Sequence, residues 1–182
     1  VEVEATDQFN NVAVKTIQVD VVDDESPKIK TVGASNGYYI EVPVYGSSDL
    51  SSYLKATDNV DGDVTPFIES DKKLDTSKQG TQTIEVSVSD NSGNTTKETY
   101  KFFVADMQAP EITLKSGNDI TVNYGSEFKW QDYMTIKDNL DVNVEPQIEG
   151  KIDTKQLDQQ TTLTVIVKDS AGNTSKETLN AT

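Results

Sequence analysis

The chain contains no cysteine and no histidine. The first absence removes disulfides, thiolate nucleophiles and zinc–sulfur sites, and it leaves the redox compartment open. The second removes the commonest general base and the commonest metal ligand. Positive charge is scarce: 16 basic residues face 31 acidic ones, for a net charge of −15. Such a polyanion repels nucleic acid and anionic membrane, so neither is an expected partner, and it attracts cations. No apolar run approaches membrane-spanning length, and no signal-peptide pattern opens the chain. No Gly-x-Ser-x-Gly, phosphate-loop or zinc motif occurs. With so many acids some close carboxylate pair is inevitable, so a glycosidase-like pair carries no signal. The sequence points to no enzyme.

What the chain does have is repetition. Val86-Ser87-Val88-Ser89-Asp90-Asn91-Ser92-Gly93-Asn94 returns as Val165-Ile166-Val167-Lys168-Asp169-Ser170-Ala171-Gly172-Asn173. A looser copy opens the chain as Val3-Glu4-Ala5-Thr6-Asp7-Gln8-Phe9-Asn10-Asn11. Ala56-Thr57-Asp58-Asn59-Val60-Asp61 reappears as Ile136-Lys137-Asp138-Asn139-Leu140-Asp141, and Pro27 and Pro110 stand at equivalent points. Self-similarity at a long period marks an array of like modules. Modules of about 80 residues bury a modest core, enough to fold alone with little margin. The expected division is residues 1–24 as the last hairpin of a preceding repeat, 25–106 as one full repeat and 107–182 as the next. Residue 1 falls inside a repeat, so the chain reads as a segment of something longer, with the last strand expected to be truncated.

Apolar residues alternate with polar ones. Ile84, Val86 and Val88 alternate with Glu85, Ser87 and Ser89; Tyr100, Phe102 and Val104 alternate with Thr99, Lys101 and Phe103. Period two marks strands with one buried face. Asp90 to Asn94 is the turn between two such arms, because Gly and Asn accept positive φ and Asp bonds amides just ahead of it. Further strands are expected at Lys28–Thr31 and Ile112–Lys115, at Ile40–Tyr45 and Ile120–Tyr124, and at Val64–Glu69 and Val144–Glu149. Pro27 and Pro110 end short linkers. No useful stretch shows helical spacing. Roughly seven short strands per module read as an all-β fold of tandem immunoglobulin-like β-sandwiches. Residues 1–22 form a lone hairpin, which is marginal in water unless something covers its apolar face.

The order Pro-x-Ile, Val-x-x-Gly, Ala-Thr-Asp-Asn-x-Asp-Gly-Asp-Val-Thr, Leu-Asp-Thr, Gly-Thr and Val-x-Asp-x-x-Gly-Asn resembles the bacterial immunoglobulin-like repeats of Gram-positive surface proteins, a type also found in pesticidal crystal proteins. The first full module carries the central motif as Ala56 to Thr65; in the second, Asp141-Val142-Asn143 replaces Asp-Gly-Asp. The resemblance implies a secreted or wall-associated multi-domain protein whose repeats form a stalk.

Three groups of residues are candidate sites. Asp58, Asp61 and Asp63 lie on one glycine turn and offer oxygens of the kind calcium takes; a turn whose aspartates cap backbone amides is the favoured alternative. The weaker counterparts are Asp138, Asp141 and Asn143. Asp23, Asp24 and Glu25 cluster at the first linker, where a calcium ion would stiffen the junction; a solvated acidic loop is the alternative. Tyr38 and Tyr39 sit in a stretch longer than its counterpart, after an Asn36-Gly37 turn, and are a candidate ligand-binding patch or ordinary strand residues. Asp7, Asp90 and Asp169 head the three hairpin turns and read as turn chemistry. Trp130 and Tyr133 suggest a sugar platform, but Leu50 and Tyr53 hold the matching places, which favours packing.

The leading expectation is a non-enzymatic stalk or spacer at the bacterial surface, extracellular, with neighbouring Ig-like repeats of the same chain as its partners. The alternatives are an adhesin module that binds carbohydrate or a host protein, and an accessory domain of a wall hydrolase or toxin.

Overall fold

A computed structural model describes residues 1–33, 35, 37 and 39–182 of the chain. Among them fifteen strands follow in order: β1 (Glu2–Thr6), β2 (Val12–Thr16), β3 (Lys28–Thr31), β4 (Ile40–Pro43), β5 (Leu54–Asp58), β6 (Gly62–Asp63), β7 (Glu69–Ser70), β8 (Gly80–Ser89), β9 (Thr95–Ala105), β10 (Glu111–Leu114), β11 (Asp119–Ile120), β12 (Met134–Lys137), β13 (Pro146–Glu149), β14 (Thr161–Lys168) and β15 (Thr174–Ala181). Helical structure among the described residues is confined to single 3-10 turns at Leu50–Ser52, Thr65–Phe67 and Trp130–Asp132. No helix among the described residues is long and apolar enough to cross a membrane.

One pairing scheme occurs twice. β3 pairs with β5, and the larger sheet runs β4-β9-β8-β7; β10 pairs with β12, and the larger sheet runs β11-β15-β14-β13. β1 and β2 form a separate two-stranded sheet. The fold is thus all-β, in agreement with the Ig-like sandwich expected from the alternation.

The chain divides into two compact units. The first comprises Val1–Ile40, Asp49–Lys73 and Thr83–Tyr100. Its core cluster joins Ala56 of β5 and Val88 of β8 with Val64, and Ile29 and Ile68 cover it. Residues from both sheets meet there, as a sandwich requires. On β8, Ile84, Val86 and Val88 are fully buried while Glu85 and Ser89 face water. Each such side chain contributes roughly 1.5–3 kcal/mol by leaving solvent. The ten residues of β1 and β2 are all exposed, Val3, Val12 and Val14 included.

The second unit comprises Glu41–Ser48, Leu74–Gln82 and Lys101–Thr182. Met134 of β12 packs in one cluster with Ile120, Leu163, Val165, Val167, Leu179 and Ala181 of the facing sheet, and Ile112 and Leu114 of β10 close its side. β14 and β15 run antiparallel from Thr161 opposite Ala181 to Lys168 opposite Thr174. β11 joins β15 in parallel.

Two expected strands come out differently. Val64–Glu69 is broken by the turn Thr65–Phe67, which leaves two-residue strands on either side. Pro66 has no amide hydrogen for a ladder and its fixed φ suits the first turn of a helix. Thr65 is instead tied into β5, its Oγ1 accepting from the Ala56 amide at 3.0 Å. Ile120–Tyr124 forms a strand only at its start, after which Val122 N donates to Thr182 O at 2.9 Å.

Candidate functional site

The repeated Asp-x-x-Gly-Asn segment forms a closed turn between two long strands. In the first full copy, the Asp90 amide donates to Asn94 O at 3.1 Å. Asp90 Oδ1 accepts from the Asn94 amide and its Oδ2 from Asn94 Nδ2, both at 2.8 Å. Gly93 sits at φ 92°, a conformation that costs glycine least. Asp169 and Asn173 repeat these contacts at 2.7 Å each. Asp7 and Asn11 do so at 3.0 and 2.8 Å. The turn chemistry expected of Asp7, Asp90 and Asp169 is what their oxygens perform.

The turn also holds the linker that leads into its own module. Asn94 Nδ2 donates to Asp23 O at 3.1 Å, and the Thr96 hydroxyl donates to Pro27 O. The second copy uses the same positions. Asn173 Nδ2 lies 3.2 Å from Asp106 O and 3.3 Å from Gln108 O, and the Ser175 hydroxyl donates to Pro110 O. Pro27 and Pro110 are buried. Each linker is therefore fixed by a side-chain amide and a hydroxyl from the hairpin that follows it.

The Asp-Asn-x-Asp loop braces the turn from the other side. Asp58 Oδ1 accepts from the amides of Val60 and Asp61 at 2.9 and 3.0 Å; Asp138 Oδ1 accepts from Leu140 and Asp141 at 2.9 and 2.8 Å. Asp61 then accepts from Asn91 N and Asn91 Nδ2, both at 2.7 Å. Asp141 accepts from Ser170 N and Ser170 Oγ at 2.6 and 3.0 Å. The amides of Asp61 and Val60 hold the Asp58 carboxyl below its ordinary pKa.

This arrangement gathers the candidate acids in a new grouping. Oxygens of Asp23, Asp58 and Asp61 lie within 4.8 Å of one another, and so do oxygens of Asp106, Asp138 and Asp169. The linker acid and the loop acids, separate in the sequence reading, meet in one place. Desolvation pushes Asp23 above its ordinary pKa, and the carboxylates of Asp58, Asp90 and Asp61 push the same way. Asp63 stands apart from the cluster: it is exposed, and its Oδ1 caps the Thr65 amide at 2.9 Å. Asp24 is exposed, and Glu25 faces Lys28 at 3.8 Å. Tyr39 is half-buried and Tyr38 lies outside the described residues. Trp130 and Tyr133 pack against the second core, with Tyr133 stacked on Phe128 at 5.3 Å between ring centroids.

Sequence reasoning missed the role of Asn94 and Asn173, and of Thr96 and Ser175, as linker clasps. The available signal was the Asn that closes each copy of the turn, since a turn alone needs only its Gly and Asp. It also missed that Asp106 is more than a lone linker acid: it is 7 % exposed, and its Oδ1 accepts from Asn139 Nδ2 at 3.1 Å.

No curated protein matches the chain. Residues 112–180 match the family model described as bacterial surface protein, Ig-like domain; the resemblance read from the motifs is borne out over that stretch, where the chain is similar to an Ig-like module of bacterial surface proteins.

Proposed function

We propose that the chain is a non-enzymatic spacer, built of successive Ig-like sandwiches divided near residues 1–24, 25–106 and 107–182, that holds a functional part of a bacterial surface protein away from the wall. The observation that carries this reading is the repeated clasp, in which Asn94 takes the Asp23 carbonyl and Asn173 those of Asp106 and Gln108. A spacer needs joints that resist bending, and each clasp supports this reading by fixing the linker main chain to the module that follows it. The likeness of residues 112–180 to bacterial surface domains supports an extracellular setting. The net charge of −15 favours solubility and opposes lateral association. Neighbouring repeats of the same chain are the partners this role implies. Small-angle scattering tests it: an elongated particle is expected, and a compact globule contradicts the spacer role.

A second reading, an adhesin module, draws on a cleft of about 200 Å³ lined by Val122, Tyr124, Ile152 and Leu157 among others. Tyr124 and Leu157 are 66 % and 75 % exposed, an aromatic and an aliphatic surface of the kind a sugar or peptide ligand uses. A glycan and host-protein array with a Tyr124→Ala control separates the two readings. An accessory role in a wall hydrolase or toxin differs only in what the rest of such a protein contains.

A further inference from the structure

Capping accounts for one oxygen of each loop aspartate and leaves the other unexplained. Asp58 Oδ1 and Asp138 Oδ1 take the loop amides, and Asp23 Oδ1 takes the Glu25 amide at 3.3 Å. Asp23 Oδ2, Asp58 Oδ2 and Asp138 Oδ2 are sealed from solvent and accept no hydrogen bond. Oδ1 of Asn139 is in the same condition, while its Nδ2 donates to Asp106. Asp106 and Asp169 are more than nine-tenths buried. Among the described residues no lysine or terminal amine lies within ion-pair distance of any of these carboxylates. A buried carboxylate oxygen with neither donor nor cation is strongly disfavoured. The same disfavoured arrangement occurs twice, at equivalent points of two modules, where a chance defect would occur once.

The donors are oxygen only, which suits a hard cation. Calcium takes six to eight oxygens at about 2.3–2.6 Å, so two oxygens of one shell stand at most about 5 Å apart. One carboxylate oxygen from each residue of a cluster meets that limit, the three lying within 4.8 Å of one another. We propose that each cluster binds one calcium ion. Asp106, Asp138 and Asp169 hold the second ion, beside the neutral oxygen of Asn139, and Asp23, Asp58 and Asp61 hold the first. Waters complete each shell. The ion gives the orphaned oxygens a partner and joins the linker acid to the loop acid, with the turn acid Asp169 completing the second site. Binding is a property of each cluster and does not depend on the spacer role.

Calcium chloride titrated into the chelator-treated 182-residue chain tests this by calorimetry, together with amide chemical shifts. Two ions per chain are expected, one for each cluster. Saturable shifts are expected at Glu25, Val60 and Asp61 and at Gln108, Leu140 and Asp141, with a rise in Tm because the ion binds only the folded state. Asp58→Asn and Asp138→Asn should each halve the stoichiometry, and Asp75→Asn, in neither cluster, should leave it unchanged. If a variant fails to fold, the wild-type shifts decide alone. Absence of heat and of shifts at about 10 mM calcium, ten-fold above the weakest range of extracellular calcium modules, overturns the proposal. So do unsaturating shifts spread over the acidic surface. Equal affinity for magnesium chloride overturns the assignment to calcium.

Discussion

The side-chain amide of Asn94 donates to the main-chain carbonyl of Asp23 at 3.1 Å, across 71 residues of sequence. The same Nδ2 also donates to Asp90 Oδ2 at 2.8 Å, so one amide closes the hairpin turn and secures the linker together. Asn173 repeats both contacts. A turn motif written three times in the chain is thereby explained by more than turn geometry in the two copies that follow a linker.

Asn173→Ala removes the donor shared by Asp169 Oδ2, Asp106 O and Gln108 O. Leaving the partly buried Asp169 Oδ2 and Asp106 O unpaired should cost about 1–3 kcal/mol, with little added by the exposed Gln108 O. Chemical denaturation checks the value, and amide exchange should show the loss concentrated at residues 106–109.

Gly150 lies at φ 103°, and a Cβ built there would stand 2.7 Å from Thr162 O. Both the backbone conformation and the close approach require glycine. Gly150→Ala should destabilise by about 2 kcal/mol or more, beyond the ~1 kcal/mol expected from left-handed strain alone. Gly117→Ala, at φ 83° with nothing near the added Cβ, should show only the smaller cost. Equal losses in the two variants would contradict the contact with Thr162.

Met134 is 1 % exposed and sits against Leu163, Val165 and Leu179. Met134→Ala should cost about 2–5 kcal/mol in thermal or urea unfolding. Ile112, packed at the edge of the same cluster and only half-buried, should lose less on the same truncation.

Ser77 and Lys78 beside Asp75 hold its carboxyl down to about 2. The folded value lies below the ordinary value of 3.8, so this group stabilises the fold above about pH 4, and the contribution fades as pH falls from there toward 2. Asp75→Asn should therefore lower Tm at pH 6, and the gap between the two proteins should narrow as pH falls from about 4 and close only below about pH 2. A Tm gap that persists at low pH would assign the effect to packing instead of charge.

The strands with clean period-two alternation were legible in the sequence: Ile84, Val86 and Val88 are buried, and β3 spans Lys28–Thr31 as read. Alternation failed where a local residue overrode it, as Pro66 does in Val64–Glu69. The acids were visible as residues but not as a group. Asp23 and Asp58 meet only because the sandwich returns the loop after β5 to the linker, and no spacing along the chain encodes that meeting. The central motif is not needed in full. The second module lacks Asp-Gly-Asp, yet it is the stretch that matches the surface-protein family. Asp141 keeps the brace to Ser170 that Asp61 makes to Asn91, whereas Gly62 and Asp63 add a short strand with no counterpart there. Asp-Asn-x-Asp is the part of the motif that does structural work in both copies.

The linker clasp is most directly tested by ¹⁵N relaxation at the amides of Asp106, Met107, Gln108 and Ala109. A linker fixed by Asn173 and Ser175 should show order parameters near ~0.85, equal to those of β14 and β15, and Asn173→Ala should lower them. Order parameters below about 0.6 in the wild-type chain would mean that the linker swings freely, and the rigid-spacer account would not survive that result.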